Sequence, residues 1–429
     1  MKSNLLQKAG PLLFAGAILE VIFIALWRLA DWSNHIPVFL ALFFTAFSVY
    51  GFVLFWSNKH NLEDVPHLSM ILISFAVLFR LTIFWCQPSL SEDFYRYVWD
   101  GRVQIAGINP YRYPPEAKEL AALRDSNHAL INHQDVRTPY PPFAETIFHL
   151  LAKIPGGAVS FKAGILLFDF LLIAVLYVIL RVEKLPRTLL LVYAWHPLPV
   201  LEFSGSGHMD IIAISLFFLS YLMVLRSQNA AGGVLMSAAI LTKYIPIISL
   251  PWILPKANWK FVMILIVFAV IAIGIYYTPD LVMLKGIFAF YQKWWFNDSL
   301  FSILYKLLGG AEPARLFGGG AILLSAAYCL LKRYSIFQSF LIIYGTILIF
   351  SPVVHPWYVC WMIPVLVFHR NIAWLFFSGW IVWAYLIIYL FPVGVWQHVL
   401  WLTLLVYVPL FLLLFYSAVR PSAQPASAL

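Results

Sequence analysis

Apolar stretches of about twenty residues, divided by short polar turns, recur along nearly the whole chain, and that length suits the hydrocarbon core of a bilayer. The pattern predicts helical crossings at 10–30, 36–57, 66–87, 160–182, 188–203, 210–226, 230–243, 245–255, 260–277, 314–331, 335–352, 357–369, 372–391 and 396–417. The two pieces flanking Lys243 are short enough to be half-helices. The period-two alternation of a transmembrane barrel is absent, and so is a fixed-period repeat. The expected fold class is therefore an all-α polytopic membrane protein of about 12–14 transmembrane helices, forming a single domain over residues 1–429.

Two interruptions break the rhythm. The longer, at 88–159, is polar and rich in Tyr, Pro and Gly; the second falls at 278–313. Near the end of the first, "PPFAETIFHLLAKI" (141–154) is amphipathic and too short to span. It is expected to lie at the interface or to re-enter.

Composition fits this reading. The chain is 62% hydrophobic and 11% charged, against about 25% charged in a soluble domain. The formal charge of +9 is read as positive-inside bias, not as a nucleic-acid signal. Lys2, Lys8, Lys59, Arg181, Lys184, Arg187, Arg226, Lys256, Lys260, Lys332, Arg333, Arg370 and Arg420 fall on one set of short loops. The opposite short loops, near 204–209, 353–356 and 392–396, carry no Lys or Arg. The first set is expected in the cytoplasm and loop 88–159 outside, as in a bacterial inner-membrane protein whose working face points outward. Cys86, Cys329 and Cys360 sit in apolar surroundings and offer neither a disulfide framework nor a CxxC metal site. The signal-like N-terminus lacks a convincing cleavage site and is expected to remain as the first helix.

On that topology the polar clusters "SEDFYRY", "EFSGSGHMD", "TKY", "KWWFNDS" and "VVHPWY" all fall on the outer side. Glu92 and Asp93 follow the third span, and a carboxylate there suits a general base. The alternative is a helix N-cap with Ser91. Pro197, Pro199, Gly205 and Gly207 break the fifth span, which would aim His196, Glu202, His208 and Asp210 into a cavity or join them in a polar plug between helices. Lys243 needs an anion, either a phosphate or one of Glu202 and Asp210. His355, ahead of Trp357 and Tyr358, suits a phosphate contact or a core histidine. Asn297, in "FAFYQKWWFNDSLF", belongs to an interfacial aromatic belt or to a sugar-stacking wall.

No P-loop and no GxGxxG after a strand occur, so a nucleotide-sugar has no evident place. A transferase working outside the cytoplasm then needs a donor that arrives through the membrane, such as a sugar on a polyprenyl phosphate. A phosphate leaves with little protonation, so a single carboxylate suffices, unlike the acid–base pair of a glycosidase. "DFYRYVWDGRVQIAGINPYRYPP", "WHPLPVLEFSGSGHMD", "TKYIP" and "HPWYVCWMIP" resemble the GT-C-type glycosyltransferases, in particular the polyprenol-phosphate-mannose-dependent mannosyltransferases. The resemblance implies a GT-C-type helical bundle whose large outer loop carries short interfacial helices, and an inverting transfer of a hexose, mannose by this likeness, to a glycolipid or glycan hydroxyl. It maps the base to Asp93 with Glu92 beside it, the family's cavity histidine near the donor phosphate to His355, and the cavity wall to His208, Asp210 and Lys243. The residues themselves add Lys243 and Arg96 as candidate phosphate cations, and His196, Glu202, Asn297, Trp357 and Tyr358 as candidate cavity lining. The expected partners are a polyprenyl-phosphate-sugar donor, a glycolipid or glycan acceptor and the lipid bilayer, with no nucleic acid. No cofactor is expected; a divalent metal at the acidic pair, as some relatives use, is the alternative. Many GT-C proteins carry the catalytic loop after the first span and not the third, so either two helices are added here or the spans are over-counted. The rival function is a membrane transporter or lipid-linked sugar flippase, which also uses broken helices.

Overall fold

The computed structural model describes residues 2–60, 62–278, 280–391 and 399–419, with side chains from residue 9 onward. The loop expected at 392–396 and the tail from Arg420 lie outside the described residues. The fold is 75% helix. Among the described residues, seven helices are long and apolar enough to cross a membrane: Ala9–Arg28, Ser33–Lys59, Ala158–Val182, Trp259–Tyr276, Ala311–Leu331, Ile372–Leu390 and Leu400–Val419. An eighth arises if Pro197–Gly205 and Asp210–Leu225, bent by 117°, count as one span. The rest of the apolar pattern forms shorter helices at Leu68–Phe84, Asn229–Ile240, Ile245–Lys256, Ile336–Phe350 and Pro356–Leu366. The chain is a multi-pass membrane protein.

The proline positions explain why fewer long helices form than hydropathy suggests. The stretch expected as one crossing at 188–203 is Leu191–Ala194, Pro197–Pro199 and a π-helical turn at Val200–Gly205. Pro197 and Pro199 have no N–H to continue the helical ladder. Likewise 357–369 divides into Pro356–Val359 and Ile363–Leu366, each with proline in its first turn. Three helices, Lys2–Arg28, Ile36–Lys59 and Leu68–Phe84, precede Asp93, so the loop does follow a third helix.

The chain forms two compact units. The first takes Met1–Phe79, Lys184–Pro199 and Trp294–Leu429. Its Ile36–Lys59 helix presents Phe39, Phe43 and Tyr50 to the core, and the Tyr50 hydroxyl donates to the Val192 carbonyl at 2.8 Å. Trp195 is fully buried and its indole N–H donates to the Leu72 carbonyl at 2.9 Å.

The second unit takes Arg80–Glu183 and Val200–Lys293. Within it, Arg80 Nε donates to Asp169 Oδ2 at 2.7 Å, both side chains being fully buried. Buried Lys162 donates to the Cys86 carbonyl at 2.5 Å, satisfying a backbone acceptor just past the end of the Leu68–Phe84 helix. Gly101 lets the Asp93–Ile105 helix close on Pro142–Ala152: a Cβ there would lie 2.7 Å from the Phe148 carbonyl and 2.8 Å from the Phe161 ring. The amphipathic stretch at 141–154 is this Pro142–Ala152 helix.

Candidate functional site

Asp93 opens the Asp93–Ile105 helix, where a carboxylate favours the positive end of the macrodipole. Its N–H reaches Ser91 Oγ at 3.3 Å, but the N-cap position is Glu92 and no side chain caps the helix, so Ser91 does not take the capping role expected of it. The Asp93 carboxyl is pushed up to about 6. Burial is the main cause; Lys243 opposes it, the like charges of Glu92 and Asp210 add to it, and a hydrogen bond from Asn132 opposes it. An acid with its proton poised near neutral pH is what a general base requires.

Lys243 is held from below. Its ammonium donates to Asp210 Oδ1 at 2.7 Å and Oδ2 at 2.8 Å. Asp210 is fully buried at the first turn of the Asp210–Leu225 helix, while the Lys243 side chain keeps 27% of its surface exposed. The structural partner expected for Lys243 is therefore Asp210, and the cation still reaches the field of Asp93. Tyr97, one turn beyond Asp93, is buried.

The "GSGHMD" turn packs against Phe94, the neighbour of Asp93. Gly207 has φ +74°, and a Cβ on it would lie 2.6 Å from the Phe94 ring, so both backbone and space require glycine. Glu202 and His208 are buried together, His208 Nε2 lying 3.5 Å from Glu202 Oε2. Ser204 and Ser206 are buried beside them in sequence. π-Helical turns of this kind recur at functional sites.

Arg96 is not presented as a phosphate ligand. It is 5% exposed, donates to both Asp100 oxygens at 2.9 and 3.1 Å, and donates to the Val136 carbonyl at 2.9 Å. Next to it, Glu145 is fully buried. Thr138 Oγ1 donates to Glu145 Oε1 at 2.6 Å, and Gln104 Nε2 donates to Oε2 at 2.9 Å. Burial pushes both Asp100 and Glu145 up, and each is hydrogen-bonded to the other. Arg96 opposes the rise at both, while the bond between the two carboxyls lowers Asp100 and raises Glu145, which assigns the donated proton to Glu145.

The remaining sequence candidates belong to the first unit. His355 precedes the Pro356–Val359 turn, its ring stacked on Phe296 at 4.6 Å and on Trp357 at 4.1 Å. Tyr358 meets it edge-on at 5.4 Å. The strand-like pairing of Phe296 with Val353 fixes this loop, through Phe296 N to the Pro352 carbonyl and Val354 N to the Phe296 carbonyl, both 2.9 Å. Asn297 has φ +48° and donates from Nδ2 to the Val354 carbonyl at 3.0 Å. Its role here is to brace the His355 loop. His196 is fully buried; its Nδ1 accepts from Leu198 N at 3.1 Å, which leaves Nε2 to donate to Ser378 Oγ at 2.8 Å. Those are the bonds of a neutral core histidine.

Asn132, Tyr97 and Glu145 were absent from the sequence-derived candidates. Tyr97 could have been found, since it stands four residues after Asp93 on one helical face. Asn132 gives no such signal, being one polar residue in a polar loop. Among the described residues, no three His, Cys, Asp or Glu side chains are grouped so as to hold a metal ion.

A family model described as "Alpha-(1->6)-mannopyranosyltransferase, N-terminal domain" matches residues 11–257. The alpha-(1->6)-mannopyranosyltransferase A of Corynebacterium glutamicum is 23% identical over 179 residues, covering 40% of this chain and 36% of the relative's own length. No solved structure matches.

Proposed function

Because the chain belongs to the alpha-(1->6)-mannopyranosyltransferase family, and is thus a membrane glycosyltransferase, we propose that it moves mannose from a polyprenyl phosphate to a glycolipid or glycan hydroxyl at the extracytoplasmic face. The observation that carries this reading is the Asp93 carboxyl, held near neutrality beside Lys243. The transporter alternative finds no support in such a family.

In the proposed reaction the acceptor hydroxyl gives its proton to Asp93. The acceptor oxygen then bonds to the anomeric carbon from the side opposite the phosphate. The bond from that carbon to the phosphate oxygen breaks, and polyprenyl phosphate leaves with the electron pair. Lys243 offsets the charge gathering on that phosphate. Direct displacement inverts the anomeric centre. The family name further suggests a 6-hydroxyl as acceptor, the least hindered on a hexose.

The test is incubation of the purified protein with radiolabelled polyprenyl-phosphate mannose and a membrane-lipid extract. A labelled product of opposite anomeric configuration is expected. Transfer from a nucleotide-mannose alone would overturn the donor assignment, and retention would overturn the single-displacement scheme.

Two variants sharpen the roles. Glu92→Gln removes a like charge that raises Asp93, so the acid limb of the pH–rate profile should move below pH 6, by up to about one unit, with the rate near pH 8 changed only a few-fold. Loss of all activity would make Glu92 the base instead. His355→Ala should raise the donor KM about tenfold to a hundredfold, the worth of one hydrogen bond to a charged group, with the acceptor KM unchanged. Unaltered donor kinetics would remove His355 from the phosphate site.

A further inference from the structure

The aromatic stretch at 288–301 has no place in the proposed reaction, yet its second half builds a cavity inside the first unit. Asp298 is fully buried and organises the wall. Its Oδ1 accepts from the Trp295 indole at 2.8 Å, and its Oδ2 accepts from Ser302 N at 2.6 Å. One carboxylate thereby fixes both a ring and the start of the Leu300–Leu308 helix. Trp295 also meets Phe301 and Tyr305 edge-on at 5.1 and 5.0 Å. The Tyr407 hydroxyl donates to the Asn297 carbonyl at 2.6 Å, which ties this wall to the Leu400–Val419 span.

The cavity measures about 420 Å³, within the span of about 300–1,000 Å³ usual for small-ligand sites. Ser302, Tyr305 and Lys306 line one side; spaced three and four residues apart, they share one face of their helix. The other side is apolar. Ala384 and Ile387 come from the end of the Ile372–Leu390 span, and Leu402 from the start of the Leu400–Val419 span. Among the described residues that line the cavity, Lys306 is the only charged one. Its side chain is exposed, and no carboxylate among the described residues pairs with it. Residues 384–403 contain no Asp or Glu. On the same short helix Ile303 and Leu307 are exposed next to Tyr305 and Lys306, the make-up of a helix that lies at headgroup level.

We propose that this cavity holds one anionic glycerophospholipid of the surrounding bilayer, its phosphodiester on Lys306 and an acyl chain along Ile387 and Leu402. The inference stands apart from the transferase reading. A single cation balances the single charge of a phosphodiester. A phosphomonoester carries about −1.5 to −2 at pH 7 and would keep excess charge against an apolar wall, which is costly. The ammonium also repels a zwitterionic head that carries its own cation. The apolar wall suits a hydrocarbon chain, whereas the hydroxyls of a sugar would go unpaired there.

The test is native mass spectrometry of the full-length protein in detergent, titrated separately with phosphatidylglycerol, phosphatidylcholine, a polyprenyl phosphate and inorganic phosphate. One phosphatidylglycerol should be retained per chain, bound about tenfold or more tightly than phosphatidylcholine. Lys306→Gln should weaken that binding about tenfold to a hundredfold, the worth of one hydrogen bond to a charged group. Its melting temperature should match the wild type, because the side chain is exposed. Lys306→Arg should keep most of the affinity, and Lys285→Gln, at an exposed lysine of the second unit, should change nothing. Equal affinity for phosphatidylcholine, unchanged phosphatidylglycerol binding in Lys306→Gln, or an equal loss in Lys285→Gln overturns the lipid site. Displacement of phosphatidylglycerol by a more tightly bound polyprenyl phosphate overturns it too, since the cavity would then belong to the donor's carrier. Inorganic phosphate binding as tightly as the lipid overturns it as well, because the apolar wall would then contribute nothing.

Discussion

Asp93→Asn should lower kcat by about a thousandfold, within the range lost with a general base, while donor affinity changes little. The two side chains are isosteric. The interaction removed is one made as the proton moves, not as the donor binds, so the loss belongs in kcat and not in ground-state binding. A second signature accompanies the rate. With Asp93 pushed up to about 6, the wild-type enzyme needs the deprotonated form, so its activity should fall tenfold per pH unit below that value. The residual activity of the variant should show no limb there. Donor binding can be followed by thermal stabilisation on adding polyprenyl phosphate. Activity within tenfold of wild type, or an unchanged acid limb, would exclude Asp93 as the base.

The legible part of this protein is the part where local chemistry contradicts its surroundings. Asp93, Asp210 and Lys243 stand out because charge in an oily chain is costly unless it is used or paired. Pro197 and Pro199 announce a break because they lack an N–H. The hidden part is set by distant partners. Arg96 looked like an outward cation, although Asp100, its partner, stands four residues on along one helix face. What hydropathy could not show is that the Pro142–Ala152 helix buries this face. Glu145 lies on the amphipathic helix predicted for the interface, and only the fold reveals that it faces Thr138 and Gln104 instead of solvent. His196 carried the same sequence signal as His355, because a buried satisfied imidazole and an accessible one are spelled alike.

Arg96→Met should destabilise the protein by roughly 3–5 kcal/mol, the range for breaking a buried ion pair from one side. Arg96 bridges Asp100 and the Val136 carbonyl inside the second unit. Without it, two buried carboxyls adjoin and the carbonyl loses its donor. The penalty should depend on pH with a definite sign. Burial, joined at Glu145 by the charge of Asp100, places the Asp100 and Glu145 pKa values above the ordinary carboxylate range, so the folded state binds protons that the unfolded chain releases. Stability from those protons is complete below the unfolded pKa and is lost as pH rises through the folded values. With the guanidinium gone, Asp100 too must take a proton to remain buried, so the variant should be closest to wild type near pH 5 and worst near pH 8. Glu145→Gln is the control: its amide imitates the protonated acid, donating toward Asp100 and accepting from Thr138, so its unfolding should vary less with pH than that of the wild type. Thermal unfolding in detergent across that range reads both variants. A pH-independent loss in Arg96→Met would mean that Asp100 stays ionised without its partner, and the placement of the shared proton on Glu145 would then fail.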